Sequence, residues 1–394
     1  MKYDFDKVID RHNTNSEKWD FNKEKFGEEN VLSMWVADMD FRVPECIIEE
    51  IKKRAEHGIF GYTAPGENYY KSVINWMNEH HNFKIEKEWI CTAPAVVPAL
   101  YWIVQAYTEK GDKVIIQPPV YHRFKGAIED NQRIVVENPL KLEDGKYYID
   151  FEDLEKKIDD RVKVLFLCSP HNPVGRVWTK NELTRLGEIC LSHNIIMVSD
   201  EIHSDIVFEE YNHIPFATIS EEFAEISITC TAPTKTFNIA GLQVCNIVIS
   251  NKYLRDKFLH RLKINAMGSL NTLGMVALEA AYNYGEQWYK EMLHYVKENF
   301  DFLENYLKEN LPQIKLIKPE ATYLAWVDFR GLKMNDLELR DFLTNKAKVG
   351  FNAGNIFGKE GEGFQRINLA CSRIILKEAL ERITKALKFI GKND

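Results

Sequence analysis

Along residues 89–249, short apolar runs rich in valine and isoleucine alternate with longer stretches whose apolar residues recur at helical spacing. The runs predict strands at 89–92, 113–117, 133–137, 163–168, 195–199, 225–230 and 244–249. Helices are predicted between them at 97–107, 121–130, 151–158 and 180–193. VLFLC and IIMVS are apolar almost throughout rather than alternating, which predicts a sheet covered on both faces. Strand-helix alternation makes that sheet mostly parallel. Upstream, 44–57 places Ile47, Ile48, Ile51 and Ala55 on one helical side. After residue 251 the pattern turns helical. The periodic segment 285–310 links the large unit to a smaller one, with strands expected at 314–317, 322–328 and 364–369 and a closing helix at 376–389.

A chain of 394 residues exceeds what one hydrophobic core usually serves, so two domains are expected. The formal net charge of −8, with basic residues interspersed among acidic ones, argues against a nucleic-acid or anionic-membrane surface. The first residues are charged and resemble neither a signal peptide nor an anchor, and no apolar run approaches a bilayer's span. Seven cysteines without a C-x-x-C pair fit a disulfide framework poorly. A cytoplasmic location is expected.

Ligands of a mostly parallel sheet sit beyond the carboxyl ends of its strands, and Lys235, Asp200 and Asn172 each follow such an end. Lys235 lies between the strand ISITC and the apolar Phe237 and Ile239. Desolvation there favours the neutral amine, a nucleophile towards carbonyl groups, although a loop lysine can also carry its head out to water. Asp200 ends IIMVSD, where a partly buried carboxylate wants a cationic or protonated partner; a helix cap or surface acid would look the same. Glu201, His203 and Asp205 follow closely without the spacing of a metal site, so no metal is expected.

Other stretches are suggestive. SPHNPVGRVW (169–178) fixes a rigid turn that can aim the Asn172 amide at one oxygen. TAPAVVPALYW (92–102) runs from strand into helix, whose free N–H groups suit an anion such as phosphate. Tyr121, after a Pro-Pro turn, either stacks on a flat ring or fills the core. Arg373, closing RINLACSR, either clamps a carboxylate or pairs with a surface acid. In WVADMDF, Asp38 and Asp40 flank Met39 in a segment that lines a site or merely turns.

Together these stretches resemble the fold-type-I pyridoxal-phosphate (PLP) enzymes of the aspartate-aminotransferase-like superfamily, over essentially the full chain. WVADMDF, FGYT, QPPVYHRF, PHNPVGR, SDEIHSD, APTKTFNIAGL and NLACSR, in that order, are similar to the MalY/PatB-type subgroup of cystathionine β-lyases. The resemblance implies an α/β fold: a large PLP-binding domain, 46–289, with a seven-stranded, mostly parallel sheet covered by helices. A smaller α+β domain would be formed by both chain ends, 1–45 and 290–394.

It also implies roles. Lys235 would bond to the cofactor aldehyde and move the Cα proton. Asp200 would pair with the pyridine nitrogen, Asn172 would donate to the ring oxygen, and Tyr121 would stack on the ring. The backbone of Ala95, Val96 and Val97 would hold the phosphate, and Tyr62 would reach the phosphate of a neighbouring subunit, implying a homodimer. His203 stands where broader aminotransferases usually carry tyrosine. Arg373 would bind the substrate α-carboxylate, with Asn172, Asp38 and Tyr62 also on the amino-acid substrate. Gln243 and Ala232 depart from the usual phosphate ligands, leaving Thr231 and Thr234 as substitutes, and Ala95, Ala321 and Ser372 replace the Gly, Gly and Pro of relatives. The implied activity is carbon–sulfur β-elimination of cystathionine or a related thioether. An aminotransferase and a PLP-retaining regulatory protein are the alternatives.

Overall fold

The structure, a computed structural model, describes residues 2–390. Strands form in all seven expected places: β1 (Ile90–Ala93), β2 (Lys113–Ile116), β3 (Ile134–Glu137), β4 (Val162–Cys168), β5 (Ile196–Asp200), β6 (Ser227–Thr231) and β7 (Cys245–Val248). They build one sheet in the order β1-β7-β6-β5-β4-β2-β3. β7 runs antiparallel to both its neighbours, and the other pairings are parallel.

The apolar run 164–168 of β4 follows from burial on both faces. Val164 and Phe166 share a core with Leu100 and Ile103 of helix Val96–Tyr107. Leu165 and Leu167 point the other way and share a core with Leu183 and Leu186 of helix Lys180–Ser192. That second helix begins with a reciprocal cap between Thr179 and Glu182, which satisfies the backbone donors its first turn leaves free.

A second, antiparallel sheet contains β8 (Lys315–Leu316), β9 (Leu324–Asp328), β10 (Asn352–Ala353) and β11 (Phe364–Asn368), in the order β8-β9-β11-β10. The long helix Glu286–Asn310 contributes Val296, Phe300 and Leu303 to its core. The start of the chain is tied to this region, because Leu32–Ser33 pairs in parallel with Val349–Gly350. Where the turn after β4 meets the second sheet, the Gly175 carbonyl accepts from Glu320 N–H (2.9 Å) and Ala321 N–H (3.1 Å). Gly175 has φ 71°, and a Cβ there would sit 3.3 Å from the Ala321 carbonyl, so both backbone and space favour glycine. The neighbouring Arg176, buried, joins Glu320 (2.5 Å) to Glu182 (2.8 Å). Among the described residues no helix is long and apolar enough to cross a membrane.

Candidate active site

Parallel register brings Cys168, Asp200 and Cys230 side by side at the ends of β4, β5 and β6. The turns that follow supply Asn172, His203 and Lys235, and Ala37 of the N-terminal segment closes against them. The resulting cavity, about 160 Å³, is lined by Lys235, Asp200, Asn172, His203, Tyr121, Thr234 and the Ala95–Val97 turn at the start of helix Val96–Tyr107. Ala37 also lines it, and its carbonyl accepts from Lys235 Nζ at 2.6 Å and from the Tyr323 hydroxyl at 2.8 Å. The WVADMDF stretch therefore serves as a wall.

Burial dominates the electrostatics here. It pulls the Lys235 amine down to about 8, helped by the nearby Arg366 cation and opposed by Asp38 and Asp200. Burial pushes Asp200 up to about 7, against one backbone hydrogen bond from Ile202 N–H (3.2 Å). His203 falls to about 3 and is neutral, again through burial, and its Nδ1 has no partner.

The Asp200 shift has a consequence for stability. A carboxyl that is raised in the folded state binds protons there that the unfolded chain has released. Stability is thus lost as pH rises from about 4 through about 7. We expect the cofactor-free D200N variant to be more stable than the parent at pH 7.5, by a few kcal/mol at most (roughly, from one buried charge). The gap should close towards pH 4, as read by denaturant unfolding across pH. A constant gap would show that Asp200 is ionised throughout.

Two sequence expectations are corrected. Arg373 opens the closing helix Arg373–Ile390 and faces away from the cavity: its Nε donates to Asn299 (2.8 Å) and its Nη2 to Glu298 (3.3 Å), with the guanidinium over the Tyr295 ring. A helix start at the surface directs it there. The guanidinium near the site is Arg366, in the middle of β11, buried, donating to Asn172 Oδ1 (3.1 Å) and the Trp35 carbonyl (3.0 Å). Burial lowers it to about 10, and no carboxylate contacts it among the described residues. Asp38 is likewise not in the cavity wall. Arg11 holds its carboxylate at 2.6 Å, while Arg11 and the buried Lys18 hold Asp40 at 2.7 and 2.6 Å.

Arg366 was detectable in the sequence as an arginine inside an apolar strand, a costly placement unless it has work to do. Tyr323 was also missed, since nothing in TYLAW marks its hydroxyl. Tyr62 lies fully exposed, outside its own chain's cavity, on a loop that also exposes Ile59 and Phe60.

The chemistry present fits PLP. Asp200 offers a carboxylate oxygen with no hydrogen bond to protein among the described residues, suited to a protonated ring nitrogen. No side chain caps the helix that starts at Val96, which leaves its N–H groups for a phosphate. Lys235 supplies an amine that is partly neutral near pH 8.

A lysine in the turn after β6 and a buried aspartate at the end of the adjacent β5, lining one cavity at the carboxyl edge of a mostly parallel sheet, are what the site of a PLP-dependent aminotransferase-type fold presents. The family model described as aminotransferase class I and II matches residues 29–383, and the chain belongs to that PLP-dependent family. Within it, the chain is 48% identical over 384 residues to cystathionine beta-lyase PatB of Bacillus subtilis, covering 97% of this chain and 99% of that one. It is 33% identical to the MalY protein of Escherichia coli, over 98% of this chain and 100% of that one. The crystal structure of cystalysin from Treponema denticola, which contains PLP, superposes with a TM-score of 0.96 at 41% identity, covering 99% and 100% of the two chains.

Proposed function

We propose that the protein is a PLP-dependent carbon–sulfur β-lyase that converts cystathionine, or a related cysteine thioether, to a thiol, pyruvate and ammonia. The observation that carries this reading is a cavity that brings the buried Lys235 amine, pulled down to about 8, together with Asp200 and with Asn172, to which the buried Arg366 guanidinium donates, in a chain 48% identical to a protein named cystathionine beta-lyase.

Bound PLP supplies an electron sink for negative charge developing at the substrate Cα. The residues do the rest. Arg366 and Asn172 hold the α-carboxylate and so fix which Cα bond is presented. Lys235 removes the Cα proton, and Asp200 keeps the proton on the ring nitrogen. Tyr121 packs against the ring face, and the Ala95–Val97 turn with Thr234 holds the phosphate. An alkyl thiol has a pKa of about 8.5, so the departing sulfur needs little protonation. Tyr62, exposed on its own chain, would reach the cavity of a second copy in a cytoplasmic homodimer.

Incubating purified holoprotein with cystathionine, without any added keto acid, is expected to release pyruvate and ammonia in equal amounts. Turnover that requires a keto-acid acceptor would make the protein an aminotransferase instead.

A further inference from the structure

Two acidic residues of SDEIHSD, Glu201 and Asp205, are left unused by the chemistry above. Each is buried and paired with a histidine: Glu201 Oε2 with His213 Nε2 (3.0 Å), and Asp205 Oδ1 with His81 Nε2 (2.6 Å). The two imidazoles lie 5.6 Å apart at 87°. Asp205 does more than balance a charge. Its Oδ1 also accepts from the Trp76 indole N–H (3.0 Å), its Oδ2 accepts from the Thr236 hydroxyl (2.5 Å), and its carbonyl accepts from the Tyr289 hydroxyl (2.7 Å). Thr236 is the residue directly after Lys235 and is fully buried.

We propose that Asp205 is a positioning residue for Lys235, acting through the Thr236 hydroxyl. Asp205 closes the turn that begins at Asp200, and Thr236 closes the short helix Pro233–Thr236 that carries Lys235. Their bond therefore staples the turn bearing the ring-nitrogen partner to the turn bearing the amine. On the far side, His81 and Trp76 anchor the same carboxylate to helix Glu67–His81, and Trp76 is itself stacked between His80 and Tyr282, with ring centroids 3.8 and 4.7 Å away. Burial raises the Asp205 carboxyl, but His81 and the hydroxyl and indole donors outweigh it and leave it lowered, so it stays an anion and a strong acceptor. Further along, Asn238 ties the same turn to Met39 and Phe41, but the Thr236–Asp205 bond is the one next to Lys235 that joins it to the Asp200 turn; without it the amine is freer to leave the Ala37 carbonyl and take up water.

The inference rests on Lys235 being the reactive amine but not on which substrate bond is broken. It is tested on cofactor-free protein by measuring, with peptide mapping, how the rate at which fluorodinitrobenzene labels Lys235 depends on pH. T236V keeps the shape and removes the hydroxyl; T236S keeps the hydroxyl. We expect T236V to move the labelling midpoint upward by about one pH unit, tenfold less neutral amine at a given pH, towards an ordinary lysine. T236S should keep the parental midpoint. W76F, which weakens the anchor while leaving the staple, should lower the thermal midpoint of unfolding but keep the labelling midpoint. T236V at the parental midpoint, or W76F shifting as far as T236V, would overturn the staple. A parent whose Lys235 labels no faster than its surface lysines would overturn the reading of Lys235 and this inference with it.

Discussion

Replacing Lys235 with alanine is expected to reduce kcat by at least ~10²–10⁴-fold, the usual worth of a positioned proton-transfer group. No neighbour is equipped to take over. His203 is neutral but so weakly basic, at about 3, that it would hold an abstracted proton poorly. Burial raises the Tyr121 and Tyr323 hydroxyls, so neither is ionised at working pH. Asp200, when ionised, would on the proposed reading be committed to the cofactor ring. The substitution should leave the fold intact and even slightly favour it, because a buried amine whose only hydrogen bond among the described residues goes to the Ala37 carbonyl is exchanged for an apolar methyl. Stopped assays of pyruvate release, beside thermal unfolding of the same samples, separate the two effects. Near-full activity in K235A would remove Lys235 from the mechanism. A loss of both activity and fold would make its role structural.

The central sheet was legible because its physics is local. A strand buried on both faces must be apolar over most of its length, as β4 is from Val164 and β5 is up to Val198; a helix covering it must be apolar at every third or fourth, and Lys180–Ser192 is. The boundaries deviate by one or two residues, as at β6, where Glu225 ends a preceding short helix instead of opening the strand. The second sheet was less legible. β10 is two residues long, too short for any alternation to show, and it exists because Asn352 and Ala353 pair with Arg366 and Gln365 of β11. Helix Glu67–His81 was also unpredicted: its aromatic and polar residues, ENYYKSVINWMNEHH, blur the apolar stripe that Tyr69, Val73, Trp76 and Met77 form once folded.

The candidate site divides the same way. Lys235, Asp200 and Asn172 were legible because strand ends of a parallel sheet converge regardless of loop detail. Asp38 and Arg373 were misplaced because their surroundings come from segments remote in sequence. Asp38 is claimed by Arg11, 27 residues earlier, and Arg373 by Asn299, 74 residues earlier. In RINLACSR the two arginines are seven apart, and only the strand-to-helix transition between them decides which one is carried to Asn172, which lines the cavity.

Arg366 therefore carries the second large prediction. R366A is expected to lower kcat/KM by ~10²–10³-fold, mostly through KM, since truncating one partner of a buried, hydrogen-bonded charge pair costs about 2–5 kcal/mol. R366K should recover little of this, because an ammonium cannot reproduce the planar two-pronged contact with a carboxylate. Stability should change much less than binding. The variant loses the bonds to Asn172 Oδ1 and the Trp35 carbonyl, but it also removes a desolvated cation whose Nε has no partner. The matching variant at the expected but displaced arginine, R373A, breaks a half-exposed contact with Glu298 and should stay within about twofold of the parent, as exposed ion pairs contribute little. Initial-rate measurements over a range of cystathionine concentrations for all three variants decide the matter. A KM rise in R373A matching that in R366A would return the α-carboxylate to Arg373 and require the closing helix to move towards the cavity when substrate binds.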